Sequence, residues 1–142
     1  MRLVVEIEGL GVQPEVAGGG GDLVALMSFA LSRGFGAIHP LIALADRLHD
    51  FHRVPMGPLT TFYEADAEDA EDVAKFEMAW QDPRPLRDIL ALIASAIRDD
   101  EVTRALVMQA GAGTLAEQCE AVNELLQRAE VAGARVRLGY HL

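Results

Sequence analysis

The chain begins and ends with short segments in which apolar and polar residues alternate. Residues 3–7 place their odd-numbered apolar side chains on one side, and residues 134–142 do the same with Val136, Leu138 and Tyr140. A period of two is typical of a β-strand that buries one face. Because a short strand is marginal by itself, each end of the chain must pair with another strand.

The polar faces of these two segments carry opposite charges. Glu6 and Glu8 belong to the first segment, whereas Arg135 and Arg137 belong to the last. Opposite charges that face each other across neighbouring strands stabilise the pair by roughly 0.2–1 kcal/mol each. We therefore predict that the first and last strands are neighbours in one sheet.

Most of the chain between the terminal segments has a helical pattern. Six helices are predicted, and their first residues or caps are Leu23, Pro40, Asp66, Asp82, Asp99 or Asp100, and Thr114. The first helix is predicted over residues 23–33, and Thr114 fits a capping box at the start of the sixth. The third helix carries Val73, Phe76 and Trp80, and the fourth has an apolar stripe of Leu86, Ile89, Leu90, Ile93 and Ile97. Residues 59–63 are rich in β-branched and aromatic side chains, which indicates a further strand. With 142 residues, the chain is predicted to be a single globular domain over residues 1–142. The expected fold is α+β and predominantly helical, with about six helices packed on a small sheet that includes the N- and C-terminal strands.

The charge balance excludes several classes of partner. The formal net charge is −10, which disfavours binding to nucleic acid because such binding is built largely from cationic contacts. Clusters of Lys and Arg that hold proteins on anionic lipid are missing, and no apolar run reaches the ~18 residues of a spanning helix, so no membrane partner is expected. Glutamates interrupt the first eight residues, so no signal peptide is predicted and we expect a cytoplasmic protein.

The best candidates for chemistry are four side chains near the end of the second helix. Carboxylate and imidazole groups are ligands for zinc, iron or manganese, and the four candidate metal ligands are Asp46, His49, Asp50 and His52. A complete site needs a further ligand, for which the candidates are His141, His39 and Glu64. The spacing is not H-E-x-x-H, and this loose pattern favours a solvated helix face, so a cofactor is not expected and a divalent metal is the alternative.

A run of four glycines at residues 18–21 follows the first strand. The preceding Gly9-Leu10-Gly11 lacks the third glycine that a dinucleotide fingerprint requires at a fixed spacing, and Asp22 stands where a phosphate would bind. We predict a loop, mobile enough to act as a lid, that ends where Asp22 caps the next helix. The single cysteine, Cys119, lies on an apolar helix stripe and is predicted to be buried and unreactive.

Acidic residues are concentrated before and within the third helix. A charge run of this kind is typical of a solvated surface, and docking of a basic protein partner is the alternative. The residues are Glu64, Asp66, Glu68, Asp69, Glu71, Asp72 and Glu77.

Three functions are compatible with these patterns. The sequence favours a non-catalytic protein-interaction or assembly protein that forms a homodimer, because a terminal strand at a sheet edge can pair with a second copy. The first alternative is a metal-dependent enzyme that uses the Asp46, His49, Asp50 and His52 cluster. The second is a small-ligand-binding protein with a pocket between the sheet and the helices from Leu23 to Leu48.

Overall fold

The computed structural model describes residues 1–13, 16–32, 39–66 and 68–142, which form six α-helices and one small sheet. The elements follow in the order β1 (Arg2–Ile7), β2 (Gly11–Val12), α1 (Gly21–Ala30), α2 (Pro40–Asp50), β3 (Phe62–Glu64), α3 (Ala70–Glu77), α4 (Pro83–Asp99), α5 (Glu101–Gln109), α6 (Leu115–Val131) and β4 (Val136–His141). A short 3-10 helix, Ala17–Gly20, precedes α1. The predicted α+β fold with about six helices is confirmed.

The sheet has the strand order β2-β1-β4-β3. β1 and β4 are antiparallel over their whole length, with Arg2 opposite His141 and Ile7 opposite Val136. β2 is antiparallel to β1, and β3 is parallel to β4. The two ends of the chain are therefore neighbours, as the charge pattern predicts.

The predicted charge pairs form across β1 and β4. Glu6 lies opposite Arg137, whose Nε donates a hydrogen bond of 2.8 Å to a Glu6 carboxylate oxygen. Arg135 donates to Glu8 from both Nε and Nη2, at 3.2 and 2.5 Å. The hydrogen bond from Arg135 lowers the pKa of Glu8 below its ordinary value.

One expectation about the last strand is wrong. β4 does not lie at an edge of the sheet, because β1 and β3 flank it on either side. Its backbone groups are used within the chain, so β4 cannot pair with a second copy. The strands at the edges are β2 and β3, with two and three residues, and such short edges offer little to an incoming strand.

The core fills the space between one face of the sheet and the helices. α1 and α6 contact β1, α4 packs on α6, and α2 packs on α1 and α5. The apolar stripe predicted for α4 is buried as expected. Fully buried side chains from several elements meet here, including Ile7, Leu26, Leu44, Leu90 and Leu115. In the part of the chain that is described, no helix is long and apolar enough to cross a membrane.

The strand predicted at residues 59–63 begins later than expected. Thr60 and Thr61 lie in a turn, where their hydroxyl groups donate to the carbonyl oxygens of Met56 and Gly57. Such side-chain bonds offer the backbone an alternative to strand pairing. The strand therefore comprises only Phe62–Glu64.

The start of α1 also differs from prediction. Asp22 does not cap α1; its carboxylate accepts hydrogen bonds from the backbone N–H and hydroxyl of Thr114. Thr114 in turn precedes α6 without making the expected capping-box bond. The Leu23 N–H is satisfied instead by Gln118 Oε1, at 2.9 Å. Contacts between residues 92 and 95 positions apart thus replace the local caps, and no local sequence pattern reveals them.

The glycine run folds as a left-handed 3-10 turn, with positive φ at Gly18, Gly19 and Gly20, and not as an open loop. Gly20 has a φ of +68°, and a Cβ there would lie 2.6 Å from the Cβ of Leu3. The turn therefore packs directly on β1 and requires glycine. The following helix, predicted over residues 23–33, spans Gly21–Ala30, and Arg33 lies outside the described residues.

α3 starts four residues after the predicted cap. Asp69 caps it by accepting a 2.8 Å hydrogen bond from the Asp72 N–H. The predicted cap, Asp66, contacts Nδ1 of His141 on β4 instead, at 2.5 Å. Trp80, predicted to lie on this helix, falls beyond its end at Glu77.

Candidate functional site

The structure does not gather the four predicted metal ligands. His49 Nδ1 contacts Asp50 Oδ1 at 2.7 Å on the exposed end of α2, whereas His52 turns towards Asp100 on a different helix. Asp46 lies one turn before Asp50 and is partly buried. Among the described residues, no group of three or more His, Cys, Asp or Glu side chains is placed to hold a metal ion. The metal site stays a prediction without support from these contacts.

The three candidate additional ligands also lie elsewhere. His141 contacts Asp66 beyond the end of β3. His39 caps the opposite end of α2, where its Nδ1 accepts from the Leu41 N–H. Glu64 is the last residue of β3. None of the three meets the His49–Asp50 pair in a described contact.

His52 belongs to a cluster that links the end of α2 to the start of α5. Oδ2 of Asp100 accepts from Arg47 Nε at 2.7 Å and from Thr103 Oγ1 at 2.6 Å, and lies 2.8 Å from His52 Nε2. Oδ1 of Asp100 accepts from the Val102 N–H. The hydrogen bond from Arg47, then that from Thr103, holds the pKa of Asp100 well below its ordinary value.

This cluster joins an imidazole, a carboxylate and a hydroxyl, which are also the groups of acid–base catalysis. The hydroxyl of Thr103 is fully buried and donates a hydrogen bond to the carboxylate. It is therefore not oriented as a nucleophile towards a substrate. The cluster links the two helices. Because His52 and Asp100 are 48 residues apart, no local sequence pattern indicates this contact.

α1 and α2 turn fully buried side chains towards the interior of the protein. Leu23, Met27 and Leu48 are fully buried there. The largest groove among those described holds about 390 Å³ and lies between the ends of α4, α5 and α6, lined in part by Arg98, Arg104 and Met108. The predicted ligand pocket beside the sheet thus stays a prediction without a described cavity.

The two remaining candidates for chemistry are the start of α1 and the thiol of Cys119, and each has a structural role. Gln118 already occupies the N–H of Leu23 at the start of α1, where a phosphate would bind. Cys119 is buried, and burial raises the pKa of its thiol to about 12. Because a thiolate is the reactive form, Cys119 is inert near neutral pH, as predicted.

Most carboxylates of the acidic run are exposed, on α3 and in the residues before it. None of the eight residues of α3 is buried. We define the α3 surface as the exposed acidic side chains and the two exposed apolar ones beside them, which are Glu68, Asp69, Glu71, Glu77, Val73 and Met78. Val73 is 50% exposed and Met78 is 76% exposed. Val73 belongs to the same apolar pattern as Phe76, but Phe76 is partly buried whereas Val73 is exposed.

Arg137 links α3 to the sheet. The guanidinium group of Arg137 lies 3.7 Å from the ring centre of Phe76 and 4.2 Å from that of Trp80. Nη1 of Arg137 also donates to the Phe76 carbonyl oxygen and to Glu77. Only 8% of Arg137 is exposed. Its opposite side binds Glu6, so the inner side of α3 is fixed while the outer side stays open.

This combination of a fixed inner side and an open, acidic and apolar outer side makes the α3 surface the best candidate for an interaction site. Comparison with known proteins adds no assignment. The chain matches no protein-family model, no curated protein and no solved structure.

Proposed function

We propose that this chain is a non-catalytic protein-interaction module that binds a basic, partly apolar segment of a partner protein on the α3 surface. The observation that carries the proposal is the exposure of α3. It buries none of its own residues, yet it presents Val73 and Met78 among carboxylates. The two side chains lie five residues apart, and exposed apolar surface that is rimmed by polar residues is typical of contact sites for other proteins.

The stability of α3 supports this function. An isolated helix of eight residues is marginal in water, because the first turn is costly to form. α3 persists through its Asp69 cap and through the packing of Phe76 on Arg137. A helix fixed in this way presents Val73 to a partner with little further loss of conformational entropy.

The charge of the surface specifies the chemistry of the partner. Lys75 is the only base in α3, and it lies 3.6 Å from Glu71. The net charge of −10 attracts a cationic partner over a longer range. The complementary ligand is an amphipathic segment in which Lys or Arg side chains flank an apolar one. A second copy of the chain does not fit, because two acidic α3 surfaces repel each other.

Binding of a synthetic amphipathic peptide of lysine and leucine tests the proposal. The Val73→Gln, Met78→Gln double variant keeps the charge and removes the exposed apolar groups. We expect it to weaken binding about tenfold, which corresponds to about 1.4 kcal/mol. Isothermal titration calorimetry provides the dissociation constants.

The matched control is Val131→Gln, which removes an apolar side chain that is 84% exposed at the end of α6. It should bind the peptide like the unchanged protein. For charge, Glu71→Gln should weaken binding more than Glu124→Gln, an exposed position on α6. Equal binding by the α3 variant and its control would show that the peptide is attracted only by net charge, and the proposal would then fail.

A further inference from the structure

The outer face of α4 is a second exposed surface, separate from the α3 surface. α4 has 17 residues and buries eight of them on its inner side. Six exposed positions define what we call the α4 face, and they are Arg84, Asp88, Ala91, Leu92, Ser95 and Asp99. At 3.6 residues per turn these positions fall within about 100° of arc, so they form one stripe along the helix.

The α4 face combines an apolar centre with small and charged neighbours. Leu92 is 44% exposed. Ala91 and Ser95 lie beside it, and small side chains allow another helix to approach to about 8 Å. At the two ends of the stripe stand Arg84 and Asp99, roughly 22 Å apart along the axis at 1.5 Å per residue.

The order of these residues is complementary to itself. Their spacing is the same when counted from either end of the stripe, and its midpoint lies between Ala91 and Leu92. When an identical helix is placed antiparallel about that point, Arg84 of each copy lies opposite Asp99 of the other copy, so one such pair forms at each end of the stripe. It also places Leu92 on Ala91 of the other copy.

The same operation places Asp88 opposite Ser95 of the other copy, so that a hydroxyl can donate to a carboxylate.

We propose that the α4 face binds a second copy of this chain as an antiparallel helix pair about a two-fold axis. A two-fold axis is the commonest symmetry of protein oligomers, and it requires a self-complementary patch of this kind. The proposal is independent of the α3 surface.

The charged ends of the stripe are available for this pairing. Among the described residues, Asp99 makes no hydrogen bond or ion pair that would compete. Arg84 is 67% exposed at its side chain and contacts Asp88 at 3.7 Å and Glu130 at 3.1 Å. Exposed ion pairs of this kind are weak. Arg87 also binds Glu130, so Glu130 keeps a partner when Arg84 turns outward.

The size of the contact sets the expected affinity. A single pair of helices of this length buries less than the roughly 800 Å² per partner of a standard interface. We therefore expect a reversible dimer that forms in the micromolar to millimolar range. Sedimentation equilibrium from about 1 μM to about 1 mM protein covers that range.

Exchanging the two charges tests the register. The variants Arg84→Asp and Asp99→Arg each place like charges opposite each other, and each should weaken dimerisation at least about tenfold. The double variant restores opposite charges across the axis and should recover dimerisation. Both changes favour the dipole of α4, with an acid in the first turn and a base in the last, so folding is preserved. Circular dichroism checks this.

Arg128→Asp is the matched control, because it makes the same charge change on the exposed side of α6. It should dimerise like the unchanged protein. A monomer at every concentration, a dimer that neither single variant weakens, or a double variant that stays monomeric would each overturn the proposal. Binding of the basic peptide at low protein concentration is measured separately, so failure of the two proposals can be distinguished.

Discussion

Asp100 is the carboxylate with the largest set of hydrogen-bond donors in the described structure, and its charge is therefore linked to folding. Arg47, Thr103 and the Val102 N–H all donate to it. These donors favour the ionised form and lower the pKa of Asp100. In the unfolded chain the same carboxyl group titrates near its ordinary pKa of about 3.9.

We predict that acid destabilises the protein in part through Asp100. Because the folded state binds the proton less readily, the unfolded state takes up more protons as the pH falls through about 4. The stabilisation is complete above the unfolded pKa and is lost progressively towards lower pH. Urea unfolding between about pH 5 and about pH 3 should therefore give a smaller loss of stability in Asp100→Asn than in the unchanged protein.

The control for Asp100 is Glu124→Gln, which removes an exposed carboxylate on α6. It should keep the pH dependence of the unchanged protein. The pKa of Glu130 is also lowered, by its hydrogen bond from Arg87. Some loss of stability with falling pH therefore remains in Asp100→Asn as well as in the unchanged protein. If Asp100→Asn and the unchanged protein lose stability in parallel over this range, the Asp100 cluster does not govern acid sensitivity.

At the scale of elements, the sequence predicts best where the pattern is repeated over several residues. The alternation in β1 and β4, with their opposite charges, was sufficient to predict that the strands are neighbours, and the α4 stripe predicted its buried side. Predictions failed where the partner of a single polar side chain determines how a helix begins. Asp22 bonds to Thr114 across the fold instead of capping α1, and no local pattern distinguishes these two outcomes.

The candidate site was only partly predictable for the same reason. The acidic run was visible in the sequence, but the start of α3 depends on which of Asp66 and Asp69 caps it. Val73 belongs to the same apolar pattern as Phe76, yet Val73 is exposed whereas Phe76 packs on Arg137. The partner of His52 lies on a different helix, and contacts of that range leave no trace in one sequence.

The attachment of α3 predicts a large effect for Arg137→Leu. This change removes the cation beneath Phe76 and Trp80 and leaves Glu6 without its partner in a mostly buried position. Breaking such a pair should lower the free energy of unfolding by about 3 kcal/mol. Urea unfolding at neutral pH measures the loss, and the fluorescence of Trp80 reports the change beside α3.

Arg135→Leu is the comparison for Arg137→Leu, because Arg135 also pairs with a glutamate of the N-terminal segment but is 57% exposed at its side chain. It should cause a much smaller loss. Equal losses of stability in the two variants would mean that Arg137 stabilises the protein through its pairing between the strands and not through its contact with α3. A large loss in Arg137→Leu without a change in Trp80 emission would also contradict the proposed anchoring.

For the whole molecule, the excess of acidic residues opposes folding. The net charge is −10, and the carboxylates around α3 stand close together without enough bases to neutralise them. Repulsion between exposed charges has a long range at low ionic strength, because the Debye length is about 30 Å at 0.01 M salt. At 0.15 M salt the Debye length falls to about 8 Å, and the repulsion is reduced. Buried pairs such as Arg137 with Glu6 are screened much less.

Salt should therefore stabilise this protein, with a melting temperature that rises between about 0.01 M and about 0.15 M sodium chloride. Differential scanning calorimetry at fixed protein concentration measures the rise. In the double variant Glu64→Gln, Glu68→Gln, which removes two exposed carboxylates beside α3, the melting temperature at low salt should be higher and its rise smaller. Salt screens both the attraction within the surface ion pairs and the repulsion among the acids, and the larger of the two determines whether added salt raises or lowers the melting temperature. A melting temperature that falls with added salt would therefore mean that the attraction is the larger.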